Sequence, residues 1–440
     1  MVWLKHLSAD LTDPPEVVGG KAHGLVLLHR LGLPVPAGFV VTTEACRAFL
    51  HDSLPDGFWS SLASAVDTLG APLVSVRSGA AVSMPGMMDT ILTVPPDAVP
   101  EAVRSVFASW HTPRARTYRT LHDIPHDLGT AVIVQRMVFG DRDEHSGSGV
   151  AFSRDPDTGA RTPFGEVLFG HQGSAVVSGT SLTRPLSALA REPAVWQDLL
   201  AALDLLERHY RDACYVEFTY ESGTLWLLQV RPGRFAGAAA VRLAVDLADE
   251  GVIGRDEALV RVSPEDLRHV RTPRLVAGAE VLGRGTGVCP GVAVGRVAVT
   301  ADEAVRMAVG GPVVLVRPET SPDDIRGLAA ATGVVTARGG PASHAAVVAR
   351  SMGKPAVVGL AALEVGRESV VVGGRTVGVG EVVSLDGTSG AVVLGAAEVV
   401  AGGADGSVRR LLGWVDDVVG AASGDDADRL RAAQVELRRA

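Results

Sequence analysis

The sequence predicts an α+β chain of several domains, and three observations carry that prediction. Its 440 residues exceed one ordinary domain. Its composition, 47% hydrophobic and 21% charged, is that of a globular chain and excludes a disordered one. Its patterning also changes along the chain. Apolar runs punctuated by Gly and Pro alternate with helical spacing as far as Arg231. A charged helical stretch follows, and a second strand-rich unit opens near Gly283.

The elements follow in order. Val17–Gly20 leads into Lys21 through a glycine-rich loop, and Leu25–Leu31 has helical spacing that Gly32-Leu33-Pro34 stops, because proline cannot continue a helix. Phe39–Val41 reads as a strand, Thr43–Leu50 as a helix, and Leu73–Val76 as a strand that delivers Arg77. Residues 97–123 are helical. Strands are expected at Ala131–Val134, Gly149–Ser153, Glu166–Phe169, Ala175–Ser178, Tyr215–Thr219 and Leu225–Val230, with one helix over 193–211, making a mixed sheet with flanking helices. Residues 236–271 read as a helical arm. Strands at Gly295–Thr300, Pro312–Val316, Gly333–Thr336, Ala356–Val358, Glu381–Leu385 and Ala391–Leu394 then form an α/β unit. The tail after residue 400 ends in an Arg-rich helix expected to be solvated.

Charge and cysteine usage narrow the function. A net charge of −9 without a basic block argues against nucleic acid as a partner. Cys46, Cys214 and Cys289 lie too far apart for a disulfide framework or a zinc ribbon, which suits a reducing, cytoplasmic setting. The first residues lack a signal-peptide core, and no run has the ~18 apolar residues of a spanning helix, so no membrane role is expected. Only Lys5, Lys21 and Lys354 are lysines among 41 basic residues, which gives each some weight.

Four segments carry chemistry. Gly333 through Pro355 reads as strand, glycine loop, helix and stop, with Ser343 as N-cap and His344 as the first helical residue. A histidine there stands at an anion-favouring helix end, where it could accept a phosphoryl group. Arg338 could neutralise that group, and Gly339 and Gly340 allow its close approach. In the second segment, Arg77 precedes a small-residue loop containing Ser83, Met84 and Gly86, which suits phosphate but also plain core. In the third, Tyr215–Thr219 and Leu225–Pro232 form a hairpin. Glu217 and Gln229 could share one face of it and offer oxygens to magnesium, with Arg231 beside a phosphoryl group. Such a hairpin is by itself more often structural. The fourth is Gly19-Gly20-Lys21-Ala22-His23-Gly24, in which Lys21 is a phosphate candidate although the Walker A spacing is absent.

Taken together and in order, these segments resemble the pyruvate phosphate dikinase and phosphoenolpyruvate synthase family. Gly32–Phe39, Gln135–Gly140, Ser148–Phe152, Glu319–Ile325 and the Ser343–Arg350 core extend the likeness over nearly the whole chain. The resemblance implies an ATP-grasp nucleotide-binding domain over 1–235, a helical linker arm over 236–280, a swivelling phosphohistidine domain over 281–398 and a tail over 399–440. It implies ATP contacts from Lys21, Arg77, Ser83, Met84, Gly86, Gln135, Met137, Val138, Glu217, Gln229 and Arg231, with Gln135–Val138 at the adenine hinge. Mg2+ would lie on Glu217 and Gln229, and His344 would be the phosphoryl carrier, supported by Arg338, Gly339, Gly340 and Ser343. ATP would donate its β,γ-pyrophosphoryl unit and leave as AMP, and inorganic phosphate would take the γ-phosphate.

The sequence also departs from the family. Its C-terminal barrel is unmatched, so a separate acceptor protein or small molecule is expected. A helical insert after Val94 is missing, Tyr215 replaces an acid, and Pro341-Ala342 replaces Met-Thr. Two alternatives stay open: a synthase-type reaction using water, and a phosphocarrier module without nucleotide chemistry.

Overall fold

In the computed structural model, residues 3–84, 86–173, 183–233, 235–268, 270, 273–276, 281–400, 406–420 and 424–439 are described. The strand expected at Ala175–Ser178 lies outside them.

The chain adopts the α+β class, with two separate antiparallel sheets in place of the mixed sheet expected from residue 130. Strands β1 (Leu4–His6), β2 (Gly38–Val41), β3 (Val74–Gly79), β4 (Thr90–Val94) and β5 (Ala131–Arg136) form the first, in the order β1-β2-β5-β3-β4. Burial explains the split. Five of the six residues of β5 are buried, so it needs cover on both faces and both edges, and it inserts between β2 and β3. The second sheet comprises β6 (Gly147–Phe152), β7 (Phe164–Phe169), β8 (Arg184–Pro185), β9 (Cys214–Glu221) and β10 (Thr224–Pro232), in the order β10-β9-β6-β7-β8. Helix α1 (Pro15–Arg30) packs between the sheets, and its Val18, Leu25 and Leu28 share a core with Ile133, Val216 and Val230.

The glycine-rich segment before Lys21 is helical rather than a loop. Helix α1 runs through it with one break at Gly19, where φ is 81°. A Cβ on Gly19 would stand 1.7 Å from the Gly79 carbonyl oxygen, so the break lets α1 touch the end of β3.

The third sheet has eight strands. At its centre Val292–Ala298, Val313–Arg317, Gly333–Thr336 and Ala356–Val358 run parallel in that order. Helices Ala301–Ala308, Ile325–Ala330 and His344–Ser351 make the crossovers. This is the βαβ arrangement in which sites gather at the carboxyl ends of the strands, and it puts the N-terminus of the His344 helix there. Gly353, at φ 62°, ends that helix as expected. The scarce Lys354 closes the neighbouring crossover: its ammonium donates to the Leu328, Ala329 and Ala331 carbonyls at the end of Ile325–Ala330.

The arm and the tail pack together rather than standing in solvent. Helices Gly237–Asp249, Arg255–Arg261 and Pro264–Arg268 share an apolar core with Gly406–Val419 and Asp426–Leu437, through Val241, Leu259, Leu411, Trp414 and Leu430. The last helix is rich in charge, yet Ala427, Leu430 and Ala433 recur every three residues along one face and are buried. Gln434 fixes it by donating to the Leu259 and Val262 carbonyls, both at 2.8 Å. Arg154, fully buried, ties this bundle to the second sheet by bridging Glu207 and Glu250, each at 2.7 Å.

Candidate functional site

Strand register builds one wall of the site. Glu166, Val150, Glu217 and Gln229 stand in one row across β7, β6, β9 and β10. Phe164, Phe152, Tyr215 and Arg231 form the next row, two residues along each strand. Alternation puts both rows on the same face. The hairpin therefore does bring Glu217 and Gln229 side by side, with Arg231 next to them.

The opposite wall comes from α1 and the first sheet. A Cβ on Gly79 would lie 3.4 Å from the Lys21 Cβ, which shows how closely α1 runs past the end of β3. Lys21 is pushed down to about 8, first by burial, then by the charge of Arg77, against an upward pull from Glu217. Burial likewise lowers Arg77, with Glu217 opposing. Two cations and one carboxylate thus share a desolvated cleft. The Lys21 ammonium has no hydrogen-bond or ion-pair partner among the described residues, and Arg77 Nε is buried without one. The excess positive charge and free donors suit a polyanion.

Arg77 is held from two sides. Its Nη2 donates to Gln135 Oε1 and, at 3.0 Å, to the Leu228 carbonyl of β10. Gln135 is 1% exposed, and its Nε2 donates to the Pro36 carbonyl at 2.8 Å. Its side chain is therefore spent on orienting Arg77. Met137 and Val138 are buried just beyond β5.

The histidine loop lies over the second-sheet wall. The Ala342 amide donates to Glu166 Oε2 at 2.7 Å. Ala342 packs in one cluster with Val150, Phe152 and Tyr215. Arg350 pairs with Asp157 at 3.0 Å, adding a second tie. From the other side, Met84 and Met87 share an apolar cluster with Ile325, Leu328, Ala345 and Ala346. A Cβ on Gly86 would come within 3.5 Å of the His344 ring. The loop expected over phosphates thus packs against the histidine unit, with Met84 buried and Ser83 and Gly86 exposed.

His344 is 7% exposed and begins its helix. Burial pushes it down to about 4, against an upward pull from Asp324, so the imidazole is neutral near pH 7. Its Nδ1 is 3.1 Å from Thr320 Oγ1, while Nε2 is buried with no partner among the described residues. Ser343 occupies the N-cap position without making a cap hydrogen bond, and its Oγ is also buried without a partner among the described residues. Two polar atoms at one helix N-terminus are thus left free for an incoming anion.

Two expected supports have other roles in this arrangement. Arg338 is exposed and pairs with Glu319 at 3.3 Å. A Cβ on Gly340 would sit 1.7 Å from Glu166 Oε1, so that glycine admits the docking carboxylate. Gly339 has φ 97°, where a side chain would be strained. Sequence reasoning missed Glu166, Asp157 and Thr320. The signal for Glu166 was a lone acid inside the apolar run Phe164–Phe169. Thr320 lies within Glu319–Ile325, a stretch whose likeness to the family gave it no role of its own.

The wall suits magnesium in its donor chemistry. Glu217 and Gln229 offer two hard oxygens. The Gln229 amide makes no hydrogen bond among the described residues, and Tyr215 reaches Glu217 Oε1 only at 3.5 Å. No group of three or more His, Cys, Asp or Glu that could hold a metal occurs among the described residues. An ion here would take its remaining ligands from water and phosphate. The three cysteines are free, buried and pushed up to about 11 or 12, chiefly by burial. No helix among the described residues is long and apolar enough to cross a membrane.

Comparison with known proteins matches two family models to this chain. Residues 15–63 and 50–184 match the pyruvate phosphate dikinase AMP/ATP-binding domain, and residues 309–390 match the mobile domain of PEP-utilising enzymes. Pyruvate, phosphate dikinase of Clostridium symbiosum is 35% identical over 94% of this chain and 60% of its own length. The Rhizobium meliloti enzyme of that name is 33% identical over 91% and 58%, and a rice one 33% over 92% and 58%. The chain thus spans about three fifths of the relatives it matches. A Bacillus anthracis D-alanine–D-alanine ligase solved with ATP overlaps 55% of this chain and 64% of its own, at 12% identity and a TM-score of 0.25, too low to carry an argument. Lys21, Arg77 and Glu166 fall inside the first matched region and His344 inside the second, while Glu217, Gln229 and Arg231 lie between the two, and the chain belongs to the pyruvate phosphate dikinase family.

Proposed function

We propose that this chain carries out the nucleotide half of a dikinase reaction, moving phosphoryl groups from ATP to His344. The observation that carries the reading is the neutral, buried imidazole docked on the Glu217 wall with Nε2 free. Lys21 and Arg77 would bind the ATP phosphates, Arg231 would stand beside the transferring phosphoryl group, and Gln135 would keep Arg77 aimed. Ser83, Met84 and Gly86 would border the phosphates, and Met137 and Val138 the adenine. Glu217 and Gln229 would hold Mg2+, which when bound neutralises charge on the phosphates.

For Nε2 to attack, the Nδ1 proton must point at Thr320 Oγ1, which accepts it. Nε2 then forms an N–P bond to the β-phosphorus as the bond from that phosphorus to the oxygen of AMP breaks, and AMP leaves with the electron pair. Inorganic phosphate next displaces at the γ-phosphorus, releasing pyrophosphate and leaving one phosphoryl group on the histidine. Ser343 Oγ and the helix N-terminus would stabilise that charge. The relatives' names, which include phosphate, favour this over water in the second step. The phosphoryl group then passes to an acceptor, pyruvate in the dikinase reading, held outside the residues of this site.

The test is incubation with ATP labelled at the β-phosphate. An acid-labile, base-stable label that His344→Ala abolishes is expected, with AMP as product. Formation of ADP, or a label kept by the alanine variant, would overturn the reading.

A further inference from the structure

Tyr215 stands where the docked histidine loop and the phosphate-side residues meet. Its ring is 6% exposed and lies edge-on to Phe152, centroids 4.9 Å apart. Ala342 of the histidine loop packs in the same apolar cluster. On the wall itself, Tyr215 is the cross-strand partner of Arg231, whose guanidinium lies 4.1 Å over the ring. Its hydroxyl is 3.5 Å from Glu217 Oε1.

The chemistry of this position follows from those contacts. The phenol hydroxyl reaches Glu217 Oε1 only at the edge of hydrogen-bonding distance. What Tyr215 supplies is a flat face for a guanidinium. Arginine is long and rotamer-rich, and stacking on an aromatic ring removes much of that freedom; Arg231 Nη1 also donates to the Pro232 carbonyl at 3.3 Å. The ring is in turn confined by Phe152 on the sheet and Ala342 from the docked loop.

We propose that Tyr215 is a positioning residue that couples docking of the histidine loop to placement of Arg231: the docked loop fixes the ring, and the ring holds the guanidinium beside Glu217 and Gln229. Arg231 is then in place for the transferring phosphoryl group when His344 is. The proposal rests on the reading given under Proposed function and assigns one further residue to it.

The experiment uses the full chain, single-turnover labelling from β-labelled ATP, and a separate ATP-affinity measurement. Tyr215→Met is expected to slow labelling at saturating ATP at least tenfold while shifting ATP affinity less than threefold. Tyr215→Phe restores most of the rate, because the ring and not the hydroxyl holds Arg231. Adding Tyr215→Met to Arg231→Ala costs nothing further, because the ring acts through the arginine. A Tyr215→Met rate equal to wild type, a Phe variant as slow as Met, or additive losses in the double variant would overturn the proposal. One readout is independent of activity. The Arg231 Nε–H resonance, identified by its loss in Arg231→Lys, is displaced by the ring current. Gly340→Ala, which disturbs docking, is expected to move it toward the position of an unstacked arginine. If that resonance does not move, the coupling is wrong whatever the labelling shows. If wild type takes no label at all but the resonance moves, the dikinase reading fails while the coupling stands. Should Tyr215→Met not fold, Tyr215→Leu is compared with Tyr215→Phe by the same measures.

Discussion

Gly340→Ala tests the docked arrangement most directly. Gly340 is not among the residues with positive φ, so alanine suits its backbone, and the effect must come from what the new methyl group meets. That is the Glu166 carboxylate, with Oε1 at 1.7 Å, Cδ at 2.5 Å and Oε2 at 3.0 Å. Glu166 is 4% exposed and cannot swing into solvent without giving up its bonds from the Ala342 amide and the Thr183 hydroxyl. A hydrogen bond to a charged group contributes about 1.5–3 kcal/mol, so losing both weakens docking by about 3 kcal/mol at the least, on the order of 100-fold or more. Single-turnover labelling of His344 should slow accordingly, with ATP affinity retained. Glu166→Ala removes the obstacle, so the double variant should label no slower than Glu166→Ala alone. A Gly340→Ala protein that labels at the wild-type rate would refute the docking geometry. So would a double variant far slower than Glu166→Ala.

Three further outcomes are expected. Glu217→Ala should lower β-phosphate labelling at least 100-fold while leaving the unfolding midpoint intact, since Glu217 is only half-buried and its single side-chain hydrogen bond among the described residues is the long one from Tyr215; an unchanged rate would remove Glu217 from the site. The His344 pKa is held at about 4, below the ~6.5 of an unfolded histidine, so as pH falls the unfolded chain takes up the proton first. Stability is therefore intact above about pH 6.5 and is lost progressively toward pH 4, with wild type losing about 2 kcal/mol relative to His344→Gln between pH 7 and 5 in urea unfolding; parallel profiles would show the imidazole is not desolvated. Leu430→Ala, at a fully buried position in the last helix, should cost about 2–5 kcal/mol in thermal or urea unfolding, and a neutral effect would show that this helix does not pack on the arm.

Much of this protein is legible in its sequence because the deciding interactions are local. Gly353 and Pro355 stop the His344 helix through backbone conformation alone. The β9–β10 hairpin is announced by its turn and strand pattern, although a register shift between Leu227 and Gln229, and not alternation, sets Gln229 opposite Glu217; a glycine pair before Lys21 announces a close backbone approach. The run from Arg77 to Met88 and the Ser343–Arg350 core identify the family by residue order.

What the tertiary structure decided are contacts between residues far apart in the chain, where no spacing rule applies. That Gln135 serves Arg77, that Gly340 admits Glu166, and that Met84 packs against Ala345 depend on how the sheets and the histidine unit meet. So does the fate of the last helix, whose charged surface conceals one narrow apolar face that becomes buried only because the arm presents a matching groove. The partition of strands into two sheets is of the same kind. An apolar strand such as β5 can pair with any neighbour, and only the demand for cover on both faces places it between β2 and β3.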